Sequence, residues 1–269
     1  MKYSIITVNY NNRDGLRKTI ESVVNQTCRD LEYIVIDGGS TDGSKEVILE
    51  YQDKIDYWVS EPDKGIYHAM NKGTKAAHGE YLNFMNSGDC FYDSNVLMNM
   101  KEHLLSDIVE GRLLNLSTNS FPFKPESEQT MMFFYSSNLD HQATFIRRQL
   151  LIDTPYDENL KIVSDWKFFL KKIIFENASF RSIPVNVARY EGMGVSAKEL
   201  QLQEAERQQV LAELLPPGIL CDYKRYAGKE SPMLDLIPQF NRTRGLNMLI
   251  LQMVKTALKV YHVFHPMRK

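Results

Sequence analysis

Apolar β-branched runs alternate with helix-period stretches through the first third of the chain, and each run is closed by a cluster of turn residues. Tyr3 to Val8 reads as a strand ended by Asn9, Tyr10, Asn11 and Asn12. A helix follows, because Leu16, Ile20, Val23 and Val24 recur at the spacing of one buried face, with Asn12 or Asp14 placed to cap it. Leu31 to Ile36 is a second strand, ended by Asp37-Gly38-Gly39-Ser40-Thr41-Asp42-Gly43; Ser44 to Tyr51 is the next helix and Asp56 to Ser60 a third strand. This order implies right-handed crossovers, and so an α/β architecture around a mostly parallel central sheet flanked by helices.

Pro62 and Gly65 enforce a loop over Glu61 to Gly65. Ile66 to His78 is a helix whose small residues Ala69, Gly73, Ala76 and Ala77 allow it to lie close on the sheet. Its polar members Asn71 and Lys72 suit solvation and donor contact equally. The helix leads into Gly79 to Tyr92, where Tyr81, Leu82, Phe84 and Met85 form a short buried strand that Asn86, Ser87 and Gly88 stop abruptly. Ligands bind at the carboxyl ends of strands in open α/β sheets. Asp89, on the loop at that end, is therefore a candidate to hold a divalent cation through hard oxygen. Taken alone, Asn86 to Asp89 also has the composition of a plain surface turn.

Asn95 to Leu105 reads as a helix, Asp107 to Leu116 as a strand, and Ser117 to Ser137, with Pro122 and Pro125, as a long functional or mobile loop. His141 to Ile146 restores strand character. His141 either contacts an acceptor hydroxyl or phosphate or is satisfied by neighbouring backbone. Ile162 to Asp165 enters a helix with Trp166, Phe169, Leu170 and Ile173 on its apolar face. Asp165 falls in the first turn, where the helix dipole alone is a sufficient reason for a carboxylate. Asp140, Asp153 and Asp157 have no motif context and read as surface or cap residues. Lys198 to Leu215 is a charged amphipathic helix stopped by Pro216-Pro217-Gly218. The stretch from Leu246 to Phe264 is also amphipathic, and residues 236–269 carry six Lys or Arg and no acid. Such a tail suits peripheral contact with an anionic membrane through residues 240–269, packing on the core, or a homodimer contact.

Composition removes several function classes. The 269 residues are 43% hydrophobic and 25% charged with net charge -2, which is ordinary for a globular protein and argues against a nucleic-acid partner. Cys28, Cys90 and Cys221 have no paired metal spacing and form no disulfide framework, which suits a reducing cytoplasm. The short apolar start is broken by Asn9 to Asp14, so no signal peptide is expected, and no apolar run is long enough to span a membrane. Asn9 to Gly15 holds only Arg13 and one glycine, too little for the basic triphosphate loop of a nucleotidyltransferase. No strand is followed by G-x-G-x-x-G, which disfavours a dehydrogenase.

Taken in order, SIITVNYNN, QTCRDLEYIVIDGGSTDGS, EPDKGIYHAMNKGTKAAHGEYLNFMNSGD, HQATFIRR and VSDWKFFL resemble the family 2 inverting glycosyltransferases, in particular the colanic-acid and capsule-type branch. The resemblance implies a Rossmann-like GT-A fold over residues 1–200, with 1–92 as the nucleotide-sugar half and 93–200 as the acceptor half, followed by a helical extension over 201–269. It implies a nucleotide diphosphate sugar donor, by preference a UDP-sugar. It also implies a saccharide or lipid-linked saccharide acceptor in bacterial capsule or O-antigen assembly, at the cytoplasmic face of the plasma membrane. By the same resemblance, Tyr10 and the backbone around Thr7 and Val8 form the wall for the base, Asp37 receives the base or ribose, and Asp63 and Lys64 lie in the loop that closes on the nucleotide. Asn71, Asn86 and Ser87 join the donor site, Asp89 is the ligand of Mg²⁺ or Mn²⁺, and Asp165 is the general base. Where many relatives carry Asp-x-Asp-Asp, this chain reads Asn86-Ser87-Gly88-Asp89. One carboxylate suffices chemically, because Mg²⁺ keeps several waters and takes substrate phosphates. The thinned acidic motif and basic tail also suit a non-catalytic nucleotide-sugar-binding or scaffolding subunit of a polysaccharide assembly complex.

Overall fold

Strand β1 (Tyr3–Asn9) is buried along its whole length because it has a parallel partner on each side, β2 (Leu31–Asp37) and β4 (Tyr81–Phe84). The computed structural model describes residues 1–116, 120, 129–190, 199–227, 252, 253 and 256. Strand β3 (Tyr57–Ser60) adds in parallel to β2. The remaining described strands are β5 (Cys90–Phe91), β6 (Ile108–Asn115), β7 (Thr144–Arg147) and β8 (Phe180–Tyr190), and the sheet order is β3-β2-β1-β4-β7-β6-β8-β5. The half built from β1 to β4 is wholly parallel. Beyond it, β7 runs antiparallel to β4 and β6, β8 parallel to β6, and β5 antiparallel to β8. The whole is a mixed α/β fold of the GT-A type.

Alternation along β1 divides its side chains between two helical layers. Tyr3 and Ile5 join Leu16, Ile20 and Val23 of α1 (Arg13–Val24), Val47 and Ile48 of α2 (Ser44–Glu50), and Val96, Leu97 and Met100 of α4 (Val96–Met100) in one core. Ile6 faces the other layer, where α3 (Ile66–Ala76) approaches so closely that a β-carbon on Gly73 would stand 2.5 Å from Ile6 Cγ2 and 3.5 Å from Ile36 Cγ1.

The second half departs from the expected elements in several places. The helix at Asn95 to Leu105 is only α4 followed by a 3₁₀ turn over Lys101–His103. Of the loop expected over Ser117 to Ser137, residues 117–119 and 121–128 lie outside the described residues. Met131–Ser136 is a helix, α5, capped by Thr130, with Phe134 fully buried. His141–Ala143 is a 3₁₀ turn, because Asn83 Nδ2 on β4 takes the carbonyls of Gln142 at 2.9 Å and Thr144 at 3.0 Å, so β7 begins only at Thr144. α6 (Arg148–Asp153) follows. α7 (Ser164–Leu170) widens into a π turn over Lys171–Phe175, which turns Lys172 inward in place of Ile173. Its Nζ is satisfied by Thr154 Oγ1 at 2.8 Å and Glu176 Oε2 at 2.6 Å.

The chain divides into two compact units, Met1–Glu213 and Leu214–Lys269. α8 (Leu200–Leu214) lies almost wholly in the first, and α9 (Pro217–Ala227) in the second. The amphipathic tail from Leu246 to Phe264 lies outside the described residues except for Gln252, Met253 and Thr256, which are helical. Among the described residues no helix is long and apolar enough to cross a membrane. Gly73→Val should lower the thermal midpoint, at a cost of about 1–3 kcal/mol for overpacking. An unchanged melting curve would contradict the close approach of α3 to β1.

Candidate active site

Parallel register brings the carboxyl ends of three strands into one row. Asn9 pairs with Asp37 across β1 and β2, and Asp37 with Ser60 across β2 and β3. Asp37 is fully buried and collects four donors. Its Oδ1 accepts from Asn9 Nδ2 at 2.7 Å and Ser40 Oγ at 2.5 Å, and its Oδ2 from Ser60 Oγ at 2.6 Å and Ser40 N at 3.0 Å. Burial works against the charge, but the hydroxyls of Ser40 and Ser60 and the Asn9 amide outweigh it and hold the carboxyl below its ordinary range. An ionised carboxylate has about four acceptor positions, and in this structure Asn9, Ser40 and Ser60 donate to Asp37, the residue expected to receive the base or ribose.

Thr7 and Val8, whose backbone is expected to form the wall for the base, lie at the end of the neighbouring strand β1. Thr7 is fully buried, with Oγ1 donating to the Met85 carbonyl at 2.8 Å and lying 2.9 Å from Tyr33 Oη, while the Val8 carbonyl accepts Ser87 N at 3.1 Å. Of the expected wall, Tyr10 alone is open, at 70% exposure. A β-carbon on Gly38 would stand 3.2 Å from Tyr10 Cδ2 and 3.3 Å from Asp63 Oδ2, so glycine there lets these two side chains converge over the strand ends. Asp63 Oδ1 is held by Lys72 Nζ at 2.6 Å and His68 Nδ1 at 3.0 Å, and Lys72 also reaches Glu61 at 2.8 Å. Lys64 is exposed on the same loop. Asn71 lies elsewhere. Its amide accepts from Tyr156 N at 3.0 Å and donates to the Tyr156 carbonyl and to Glu158 Oε1, both at 2.9 Å. Both ends of that amide clamp the Tyr156 segment.

The loop after β4 is held by α1. Asn12 Nδ2 donates to the Ser87 carbonyl at 3.0 Å, Gly88 N donates to Thr19 Oγ1 at 3.0 Å, and that hydroxyl donates to the Asp89 carbonyl at 2.6 Å. Gly88 takes φ 105°, a left-handed conformation that glycine adopts without strain. Asp89 is 9% exposed. Among the described residues no group of three or more His, Cys, Asp or Glu is placed to hold a metal. The oxygens on this loop thus fit a cation shared with a substrate's phosphates and do not make a closed protein cage. With its Nδ2 facing His141, the Asn86 Oδ1 is a buried acceptor with no partner.

His141 joins that loop to Asp165. Its Nε2 is 3.1 Å from Asn86 Nδ2 and its Nδ1 is 3.4 Å from Asp165 Oδ2. The other carboxylate oxygen, Asp165 Oδ1, accepts from Tyr67 Oη at 2.9 Å, and the same hydroxyl lies 2.6 Å from the Ile162 carbonyl. Burial pushes the Asp165 carboxyl up, but the hydrogen bond and charge of His141, the Tyr67 hydroxyl and the Trp166 backbone N–H bring it below the ordinary range. Burial pulls His141 down, and Asp165, Asp89 and Asp140 raise it above the ordinary histidine value. Protonation makes both ring nitrogens donors, so it also requires the Asn86 amide to turn its oxygen toward Nε2. Burial raises the Tyr156 hydroxyl well above its ordinary value, with a contribution from Asp165, and this hydroxyl has no partner.

Sequence reasoning missed Thr19, Tyr67 and the link made by His141. A signal existed only for Thr19, a hydroxyl set beside Ile20 on the stripe of Leu16 and Val23.

The family model for glycosyl transferase family 2 matches residues 4–153. PGL/p-HBAD biosynthesis glycosyltransferases of Mycobacterium bovis and Mycobacterium tuberculosis are 31% identical over 202 residues, covering 71% of this chain and 77% of theirs. Among solved structures, S. aureus TarS 1-349 in complex with UDP-GlcNAc has TM-score 0.63 at 19% identity, over 89% of this chain and 78% of that one. In another TarS crystal structure this chain covers 44% of the length. The Pyrobaculum calidifontis mannosyltransferase PcManGT, in complex with GDP-Man and Mn²⁺, has TM-score 0.63 at 16% identity, over 98% of this chain and 82% of its own. With the family model spanning most of the sheet and the site at its carboxyl edge, the chain belongs to glycosyl transferase family 2.

Proposed function

We propose that this glycosyltransferase moves a sugar from a nucleotide diphosphate sugar, with UDP as the favoured nucleotide, to a hydroxyl of a saccharide or lipid-linked saccharide in bacterial surface polysaccharide assembly, inverting the anomeric centre. The observation that carries the reading is Asp165: a buried carboxylate, kept ionised, on a helix that His141 ties to the loop bearing Asp89. The UDP-GlcNAc complex of TarS supports the donor class, and the PGL/p-HBAD biosynthesis named for the mycobacterial relatives is consistent with a role in building a surface product.

In this reading the acceptor O–H gives its proton to Asp165 as its oxygen bonds to the anomeric carbon. The bond from that carbon to the diphosphate breaks on the opposite face, and nucleoside diphosphate leaves. Asp165 is suited to the proton step because its carboxylate is held ionised by three donors, His141, Tyr67 and the Trp166 N–H, and a carboxylate has about four acceptor positions, which leaves one for the incoming hydroxyl. His141 and Tyr67 fix the direction of that position. Tyr10 and the Asp63 loop flank the nucleoside, with Lys64 exposed toward phosphate, while Asp37 braces the strand ends beneath. Asn86, Ser87 and Asp89 belong to the diphosphate side. Mg²⁺ or Mn²⁺ held there by Asp89 with substrate oxygens would offset the charge of the leaving diphosphate.

Asp165→Asn should lower turnover about 10²- to 10⁴-fold, the usual contribution of a general base, while donor binding stays near the wild-type level. The measurement is UDP release from UDP-glucose, UDP-galactose and UDP-GlcNAc with Mn²⁺ and p-nitrophenyl glycoside acceptors, alongside calorimetric binding of UDP. Unchanged turnover would remove Asp165 from the proton step, and no release from any of the three donors would remove the UDP-sugar assignment. Asp89→Asn should weaken UDP binding with Mn²⁺ present and leave metal-free binding alone; equal binding by both proteins at every Mn²⁺ concentration is the contrary result.

The His141–Asp165 pair also sets a sign for pH. A group whose folded pKa is raised stabilises fully below its unfolded value, about 6.5 for histidine, and loses that effect as pH rises through the folded value. The gap in thermal midpoint between wild type and His141→Gln should therefore be larger at pH 6 than at pH 9. A gap independent of pH would show that His141 carries no folding-linked proton.

A further inference from the structure

Helix α8 reaches the start of α7 from another part of the chain. Glu206, 7% exposed, accepts three successive backbone N–H groups: Lys161 N on Oε1 at 2.7 Å, and Ile162 N and Val163 N on Oε2 at 2.9 and 3.3 Å. The first N–H groups of a helix and the residues just before it have no intrahelical acceptors. Val163, the N-cap of α7, makes no side-chain capping bond. A carboxylate from α8 fills that place, ending two residues before Asp165.

Arg207 holds the other flank. Its guanidinium lies 4.3 Å from the centroid of the Trp166 ring. Its Nη2 donates to the carbonyls of Phe134, Tyr135 and Ser137 at 2.7, 3.1 and 3.3 Å, and Trp166 Nε1 donates to the same Phe134 carbonyl at 2.9 Å. Two consecutive residues of α8 thus grip the backbone before Asp165 and the side chain after it. Glu206 shares the buried face of α8 with Val210 and Leu211, where a charged side chain is unnecessary for packing alone.

We propose that Glu206 and Arg207 are positioning residues that set the direction in which Asp165 presents its carboxylate to the acceptor hydroxyl. The inference rests on the reading of Asp165 as the base. It extends the reacting apparatus past residue 200, into a helix that the family model, ending at residue 153, does not reach. The physical reason is geometric: misplacing a reacting group by about 1 Å costs on the order of 10²-fold in rate. The side-chain partners of the Asp165 carboxylate are His141 and Tyr67, and the backbone that carries it is held from α8.

The test uses full-length Glu206→Gln, Glu206→Ala and Arg207→Lys, with Asp165→Asn as reference. Turnover is read as UDP release from UDP-GlcNAc with Mn²⁺ and a p-nitrophenyl glycoside, and the His141 ring is titrated by NMR, which needs no turnover. In protein shown to be folded by its melting curve, Glu206→Ala should lose about 10²-fold in kcat and Glu206→Gln about 10-fold, with donor KM within about 2-fold of wild type. The glutamine keeps one acceptor oxygen and so restores part of the alanine loss. Arg207→Lys keeps the charge but loses the planar fork and the stack on Trp166, and should lower kcat as well. In Glu206→Gln, the His141 titration should move toward the ordinary histidine value as Asp165 drifts from it, with Asp89 and Asp140 left in place.

Wild-type kcat and an unmoved His141 titration in folded Glu206→Gln overturn the proposal, as does failure of both Glu206→Gln and Arg207→Lys to fold, which would make the pair structural. Wild-type turnover in Asp165→Asn instead overturns the base reading itself. An inactive Asp165→Asn beside a fully active Glu206→Gln removes only the positioning role.

Discussion

The carboxylate of Asp37 is the constraint on which the site edge depends. A fully buried charge is tolerated only when its hydrogen-bonding capacity is met, and here the register of three parallel strands meets it. Asn9 and Ser60 lie opposite Asp37 on its two neighbouring strands, and Ser40 folds back from the next turn. A slip of one residue in either pairing would turn those donors to the opposite face of the sheet and leave the charge uncompensated. The same four bonds therefore fix the register, close the strand ends and shape the turn that brings Gly38 beneath Tyr10 and Asp63.

Buried acids do different work at different depths. Glu32 takes Ser4 Oγ and the backbone N–H groups of His78 and Gly79, and Glu206 takes three backbone N–H groups. Neither faces a ligand. Both satisfy chain that would otherwise enter a buried element with open donors. Asp165 differs in kind, since two of its partners are side chains from distant segments, one of them titratable. Such a pair is a poor source of net stability, because desolvation offsets its Coulombic attraction. What it supplies is a carboxylate that stays ionised and oriented, which is the property a proton acceptor needs.

The first half of this fold was legible because β1, β2 and β4 are buried on both faces and read as continuous apolar runs. Strand β8 was missed. Its eleven residues mix Arg181, Ser182, Pro184, Asn186 and Arg189 with apolar ones, and only three of the eleven are buried. β5 is two residues long and exists only because β8 pairs with it. The site divides the same way. Asp89 and Asp165 could be singled out as candidates because they sit in local contexts that sequence can show, a strand end and a helix start. The bonds from Asn9 and Ser60 to Asp37 and the clamp of Asn71 on Tyr156 were hidden, since their partners lie 28, 23 and 85 residues away. His141 lay between two readings for the same reason: its partners are 55 positions upstream and a helix downstream.

That division bears on the reduced acidic motif. A loop with several carboxylates holds a cation by charge, so its orientation can be loose. A loop with Asp89 as its acid depends on where that acid points. Here α1 fixes the backbone through Asn12 and Thr19, Gly88 supplies the left-handed turn, and His141 holds Asn86 against the helix bearing Asp165. These contacts constrain the same few residues from separate directions, as preorganised sites require. The reduced acidic motif thus leaves a loop whose polar groups are oriented by bonds from α1 and from His141, and His141 links that loop to the helix bearing Asp165.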